Sequence, residues 1–279
     1  MPRKLDDHVQ RVLVSPDLHF RAKGGGLDKR AWNCMLQYAA AHEWDAHINL
    51  GDVMDFPYIS EYNRGKPGKV AGENFFRDYE YANKRLDEVG QAVGSRRLPE
   101  EAPRHYILEG NHDERVKRYL AYHPELVGSI DVPHGLRLAE RGWTWVPFWS
   151  LGHSVQIGKA MFIHGRYTNE HHAKYSVHHY NKNVFYGHKH DVMCYSRSSH
   201  GGYRRLPMSR LYTSDNTTMV GQSLGCLCQL DQEYMQGAPT NWQHAFGTFF
   251  FFADGNFTYY VTLIFNGRCV GPDGKVYRA

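Results

Sequence analysis

What the chain lacks sets the first limits. Its most apolar stretch, Phe246 to Phe252, is soon followed by Asp254-Gly255, far short of the roughly 20 residues that a transmembrane helix needs. The opening residues, Met1-Pro-Arg-Lys-Leu-Asp-Asp-His8, have no apolar segment behind their basic pair, so neither a secretory signal nor a membrane partner is expected. Charge of one sign is also missing. Lys and Arg number 33 against 29 Asp and Glu, a formal net charge of +4, and so weak an excess implies no nucleic-acid or membrane field by itself. Cysteine is sparse: Cys34, Cys194, Cys226, Cys228 and Cys269 are odd in number and scattered. That argues against a disulfide framework and for a reducing, cytoplasmic compartment. Cys226 and Cys228 have no second close pair to complete a zinc site, so they read as buried thiols. Repeats and low-complexity segments are absent too. With 42% hydrophobic and 22% charged residues over 279 positions, the composition excludes a disordered or fibrous chain and suits one domain, 1–279, with a sizeable core.

Histidine, by contrast, is abundant. Of 18 in the chain, His153, His164, His171, His172, His178, His179, His188 and His190 crowd a short stretch, which asks for a metal or an acid/base site. Short apolar runs recur, each ending in a functional-looking loop. Arg11–Ser15 leads to Asp17-Leu18-His19, Ala46–Leu50 to Gly51-Asp52, and His105–Leu108 to Gly110-Asn111-His112-Asp113; Ala160–Ile163 leads to His164-Gly165, and Val184–Tyr186 to Gly187-His188-Lys189-His190. Helical stretches are expected over Leu27–Ala41 and Glu73–Val93, the second with Phe76, Tyr79, Ala82, Leu86 and Val89 at helical spacing. Strand, helix, strand repetition predicts an α/β fold with a largely parallel sheet and a ligand site at the strand ends. Beyond about residue 191 the pattern turns to strands, with a hairpin expected from Phe249–Phe252 to Phe257–Phe265 and buried on both faces.

Any one of these loops could arise by chance, whereas five in this order, each ending an apolar strand, ask for a common purpose. Carboxylate and amide oxygens mixed with imidazoles suit Mn, Fe or Zn, and thiolates, the mark of a closed structural zinc site, are missing from the strand ends.

The five motifs resemble those of the calcineurin-like metallophosphoesterases, from Asp17 to His190. The resemblance implies a four-layer sandwich of two mixed β-sheets flanked by helices. The Gly-His-x-His ending is similar to the branch that includes DNA-repair nucleases and cyclic-nucleotide phosphodiesterases. Asp55 is followed by Phe56-Pro57, where the Ser/Thr protein phosphatases of the family carry Arg-Gly. The layouts around Gly110–Arg115 and from Cys226 to Trp242 are similar to bacteriophage members. Carried over by residue, Asp17, His19 and His190 would hold one divalent ion, Asn111, His164 and His188 a second, and Asp52 would bridge them, with Mn favoured and Fe or Zn as alternatives. One carboxylate shared by two cations fits a pair about 3.5–4 Å apart, the arrangement that clamps an in-line displacement at phosphorus. A hydroxide between them would be the nucleophile and a phosphate ester the substrate.

His112 is expected to face the substrate as the proton donor to the leaving oxygen, and Asp113 either to fix its tautomer or to cap the helix beginning near Glu114. Asp55 is assigned equally to support of a ligand imidazole or to capping. Arg115 is expected either to grip a substrate phosphate or to pair with Glu114 or Asp113. His171, His172, His178 and His179 read as one solvated helix face. The segment Val192–Ser214 has no Asp or Glu but carries Arg197, Arg204, Arg205 and Arg210 among tyrosines. Arg204 and Arg205 are therefore candidate contacts to a phosphate-rich or single-stranded nucleic-acid ligand, set against a plain basic hairpin face. Asn241–His244 either closes over the site or packs at a loop. A phosphodiester is the favoured substrate, with nucleic acid as one form of it. A phosphomonoester, or a scaffold without activity, is the alternative.

Overall fold

The computed structural model describes residues 9–199 and 217–279, apart from positions 25, 148, 233, 234 and 236. In chain order its elements are β1 (Gln10–Ser15), α1 (Lys29–Ala41), β2 (Ala46–Asn49), α2 (Phe75–Gly94), β3 (Arg104–Leu108), α3 (Asn111–Tyr122), α4 (Val132–Gly135) and β4 (Thr144–Val146). There follow β5 (Val155–Ile157), β6 (Ala160–Ile163), α5 (His172–Tyr180), β7 (Asn183–Tyr186), β8 (Cys194–Ser199), β9 (Thr217–Ser223), β10 (Ala245–Phe251), β11 (Phe257–Leu263), β12 (Arg268–Val270) and β13 (Val276–Arg278). The five expected strands appear as β1, β2, β3, β6 and β7. Both expected helices form as α1 and α2, started by Asp28 and Asn74, whose side chains accept the N–H groups of Ala31 and Arg77.

Two mixed sheets carry the fold. One has the order β11-β10-β1-β2-β3-β4 and the other β5-β6-β7-β9-β8. The runs β1-β2-β3-β4 and β6-β7-β9 are parallel, while the outer pairings are antiparallel. Alternation along the strands assigns side chains to layers. Val12 and Val14 of β1 meet Phe162 of β6 and Phe185 of β7 in a core between the sheets. Leu13, pointing the other way, packs with Trp32, Met35 and Tyr38 of α1 and with Leu86 and Val89 of α2. On the far side of the second sheet, Met161, Ile163, Val184 and Tyr186 pack against Ala173 of α5. The result is helix, sheet, sheet, helix.

Two expectations need correction here. Phe76 is 76% exposed, because the buried stripe of α2 passes through Tyr79, Ala82, Leu86 and Val89 and leaves residue 76 on the solvent side. The hairpin β10-β11 forms, and β10 is buried on both faces, but β11 alternates half-buried and exposed residues. Phe257, Tyr259 and Val261 pack on the core between the sheets, whereas Thr258 and Tyr260 face solvent, and only Thr262 near the end is buried. Among the described residues no helix is long and apolar enough to cross a membrane.

Candidate metal centre

Within a parallel run all strands deliver their carboxyl ends to one edge. The loops after β1, β2 and β3 of the first sheet meet those after β6 and β7 of the second, joining residues far apart in sequence. Asp17, His19, Asp52 and His190 offer ligand atoms within 4.8 Å of one another, and so do Asp52, His164 and His188. Asp52 belongs to both groups. Its Oδ2 lies 3.7 Å from His19 Nε2 and 3.4 Å from His164 Nε2. Asn111 Oδ1 lies 3.0 Å from His164 Nε2, and His190 Nε2 lies 3.3 Å from Asp17 Oδ1 and 3.2 Å from His19 Nε2. All seven metal-ligand candidates are thus brought to one place.

The backbone is bent to achieve this. Among the described residues, His19, Asp52, His188 and His190 all have left-handed φ, at 49°, 47°, 66° and 63°, a conformation costing roughly 1–3 kcal/mol for each such non-glycine residue. The motif glycines are explained by crowding. A Cβ on Gly187 would lie 2.0 Å from Asp17 Oδ2, and one on Gly110 would lie 2.2 Å from Asp52 Oδ1. Main-chain donors fix the carboxylates: His188 N–H donates to Asp17 Oδ1 at 2.9 Å, and His112 N–H to Asp52 Oδ1 at 2.8 Å.

Electrostatics make this a cation's place. Burial works against ionised Asp52, yet the surrounding imidazoles, His164 first, hold its carboxyl well below the usual range. Burial likewise opposes a charged His164, but the Asp52 carboxylate outweighs it and the ring is pushed up to about 9. His188, disfavoured as a cation by burial, falls to about 4. The Nδ1–H of His164 donates to the Leu50 carbonyl at 2.9 Å, which aims Nε2 at Asp52 and Asn111 as a metal ligand requires. Imidazoles and carboxylates around a shared Asp52 therefore fit divalent metal ions of the borderline kind.

His112 is not in either Asp52-centred group, although its Nε2 lies 3.9 Å from Asp52 Oδ2. Its Nδ1 is 3.0 Å from Asp55 Oδ1, and Arg115 Nη2 donates to its Nε2 at 2.9 Å. A guanidinium can only donate, so Nε2 is the acceptor and Nδ1 carries the hydrogen given to Asp55. This corrects the pairing with Asp113. That carboxylate instead accepts the backbone N–H groups of Gly110 at 2.9 Å, Met54 at 3.0 Å and Val53 at 3.3 Å; burial, with the Asp52 charge, lifts it to about 7. Nor is Asp113 the cap of a helix beginning near Glu114: α3 begins at Asn111 with Gly110 in the capping position, and Asp113, third in the helix, folds back to hold the Gly110 N–H. Arg115 reaches back to Asp55, its Nη1 donating to the Asp55 carbonyl at 2.8 Å and lying 3.9 Å from the carboxylate. With Asp52, Asp55, Asn111, His188, His190 and Trp242, Arg115 and His112 line a cleft of about 300 Å³.

Several neighbours were not readable in advance. His172, assigned to a solvated face, is fully buried; it bonds Tyr186 Oη at 2.7 Å and Asp191 Oδ2 at 3.0 Å, tying α5 to the residue after His190. His171, His178 and His179 are exposed as expected. Cys228 Sγ lies 3.8 Å from His190 Nδ1, and burial raises its thiol well above the ordinary range. The only signal was a Cys-x-Cys pair. Trp242 packs edge-on against His190 at 4.3 Å, so Asn241–His244 does border the cleft. Arg204 and Arg205, like most of Val192–Ser214, lie outside the described residues, while Arg197 in β8 is exposed. Compared with known proteins, the chain matches no family model, and no curated protein matches it significantly.

Proposed function

We propose that this chain is a dinuclear metal-dependent phosphoesterase of the calcineurin-like kind, with phosphodiesters as its preferred substrates. The observation that carries the reading is Asp52, whose one carboxylate oxygen faces His19 on one side and His164 on the other. Asp17, His19 and His190 would hold one ion, Asn111, His164 and His188 the other, and Asp52 both. Two such ions, Mn by preference and Fe or Zn by the same donor chemistry, would polarise a phosphoryl oxygen and make hydroxide accessible near neutral pH.

The remaining work falls to the chain. His112 lies at the cleft wall with its Nδ1–H on Asp55. To protonate a leaving oxygen, Nε2 must first gain a proton, the one that the attacking water would give up, so Arg115 has to release Nε2 and turn its donors toward the substrate's phosphoryl group. Asp55 then faces an imidazolium and stabilises it, as the acid partner does in other His-Asp pairs.

The test uses metal-stripped protein with a chromogenic diester and monoester, before and after adding Mn. Mn-dependent hydrolysis with the diester favoured is expected. A monoester preference selects the phosphatase reading, metal-independent hydrolysis overturns the metal mechanism, and absent hydrolysis removes the enzyme.

A further inference from the structure

Beside the cleft runs a second, larger depression of about 650 Å³, which shares Ser60, Asn111 and Arg115 with it and extends over the exposed side of α3. Its cations are Arg64, Arg115 and Arg118 and its rings include Tyr119 and Tyr122; Glu61 is its one carboxylate. Tyr122 is 85% exposed, which leaves its ring open to solvent beside the groove. Tyr119 is already stacked with His123 at 4.2 Å and 28°.

We propose that this groove binds the nucleotides that continue from the scissile phosphodiester of a single-stranded nucleic acid. The inference rests on the phosphodiester reading of the adjoining cleft and names its substrate class. A strand with one phosphate at Asp52 and Asn111 passes Arg115 and meets Arg118 and Arg64, which neutralise its next phosphates. Tyr122 offers its exposed ring to the faces of unpaired bases, and stacking of this kind is indifferent to sequence. A duplex hides those faces. A small ester would fill the cleft and leave the larger space empty.

Binding can be read without turnover. Fluorescence anisotropy of a labelled oligothymidylate of about eight nucleotides is measured in chelator, with a Glu-rich peptide as competitor and Lys275→Ala, an exposed cation outside the groove, as control. Tyr122→Ala should weaken binding by roughly tenfold. Arg64→Ala and Arg118→Ala should each lower the salt slope by about 0.7, while Lys275→Ala changes neither. Undetectable oligonucleotide binding, equal losses in Lys275→Ala, or displacement by the peptide at matching concentration overturns the groove assignment. Turnover of a chromogenic diester is measured separately. Turnover without oligonucleotide binding removes the groove and keeps the phosphoesterase, whereas binding without hydrolysis of any ester removes the phosphoesterase and keeps the groove.

Discussion

The ring of His112 lies 3.0 Å from Asp55, a residue 57 positions earlier in the chain, while its sequence neighbour Asp113 turns away to hold three backbone N–H groups. Two carboxylates near one histidine thus have separable duties. Asp113→Ala strands three buried donors, each costing about 1–3 kcal/mol, and chemical denaturation should register a loss of several kcal/mol. Asp55→Ala should instead lower turnover with a smaller loss of stability. A rate defect in Asp113→Ala matched by full stability would reverse the assignment.

His112→Ala is expected to cut turnover of a chromogenic diester by roughly 10²–10⁴, the usual worth of a positioned proton donor. Elemental analysis should find its metal content unchanged. Loss of metal in this variant would make His112 a ligand.

Asp52→Asn should weaken both metal positions together, whereas His164→Ala should mainly affect one. Mn titration by calorimetry distinguishes the two outcomes. Ligand binding to the native state alone also stabilises, by about 4 kcal/mol at a thousandfold excess over Kd, so chelator should lower Tm in the wild type and scarcely in Asp52→Asn. An unchanged wild-type Tm on adding chelator to Mn-loaded protein would contradict a metal centre.

Acid should destabilise the fold through a buried pair remote from catalysis. His47 on β2 and His105 on β3 face each other at 3.3 Å, with His105 stacked on Trp143 at 4.1 Å. Burial holds His47 well below the ordinary value and His105 at about 4. The unfolded chain takes up these protons below about 6.5 while the native state refuses them. Stability should therefore be intact above that pH and fall as it drops toward 4, by about 3 kcal/mol for His105. His105→Phe, which keeps a ring on Trp143, should flatten this part of the denaturation profile. An unaltered pH dependence would exclude the pair as its source.

The strand ends were legible because they are written locally. A glycine or acid ending an apolar run marks where a strand stops, so Asp17, Asp52, Asn111, His164 and His188 stand out as strand-end residues, whereas the division into two sheets and the grouping of ligands across them followed only from the family resemblance. Partners defined by three-dimensional approach were not legible. Asp55 was expected beside a ligand imidazole and does lie 3.6 Å from His19 Nδ1, but its bond to His112, like Asp191 beside His172 and Cys228 beside His190, joins residues 57, 19 and 38 apart that obey no spacing rule. The burial of His172 misled for the same reason: Tyr186 and Asp191 supply its polar contacts, and helical periodicity cannot see them.

The central position of β1 governs when the molecule can be finished. It pairs with β2 on one side within the first fifty residues, but its other neighbour is β10, which is complete only when Phe251 has been made. Asp17 likewise waits for His188 and His190, more than 170 residues later. During synthesis the emerging chain therefore presents an open strand edge and an incomplete ligand set for most of its length. Chains shortened before residue 245 should not mature into a metal-loaded protein, however intact their five motifs.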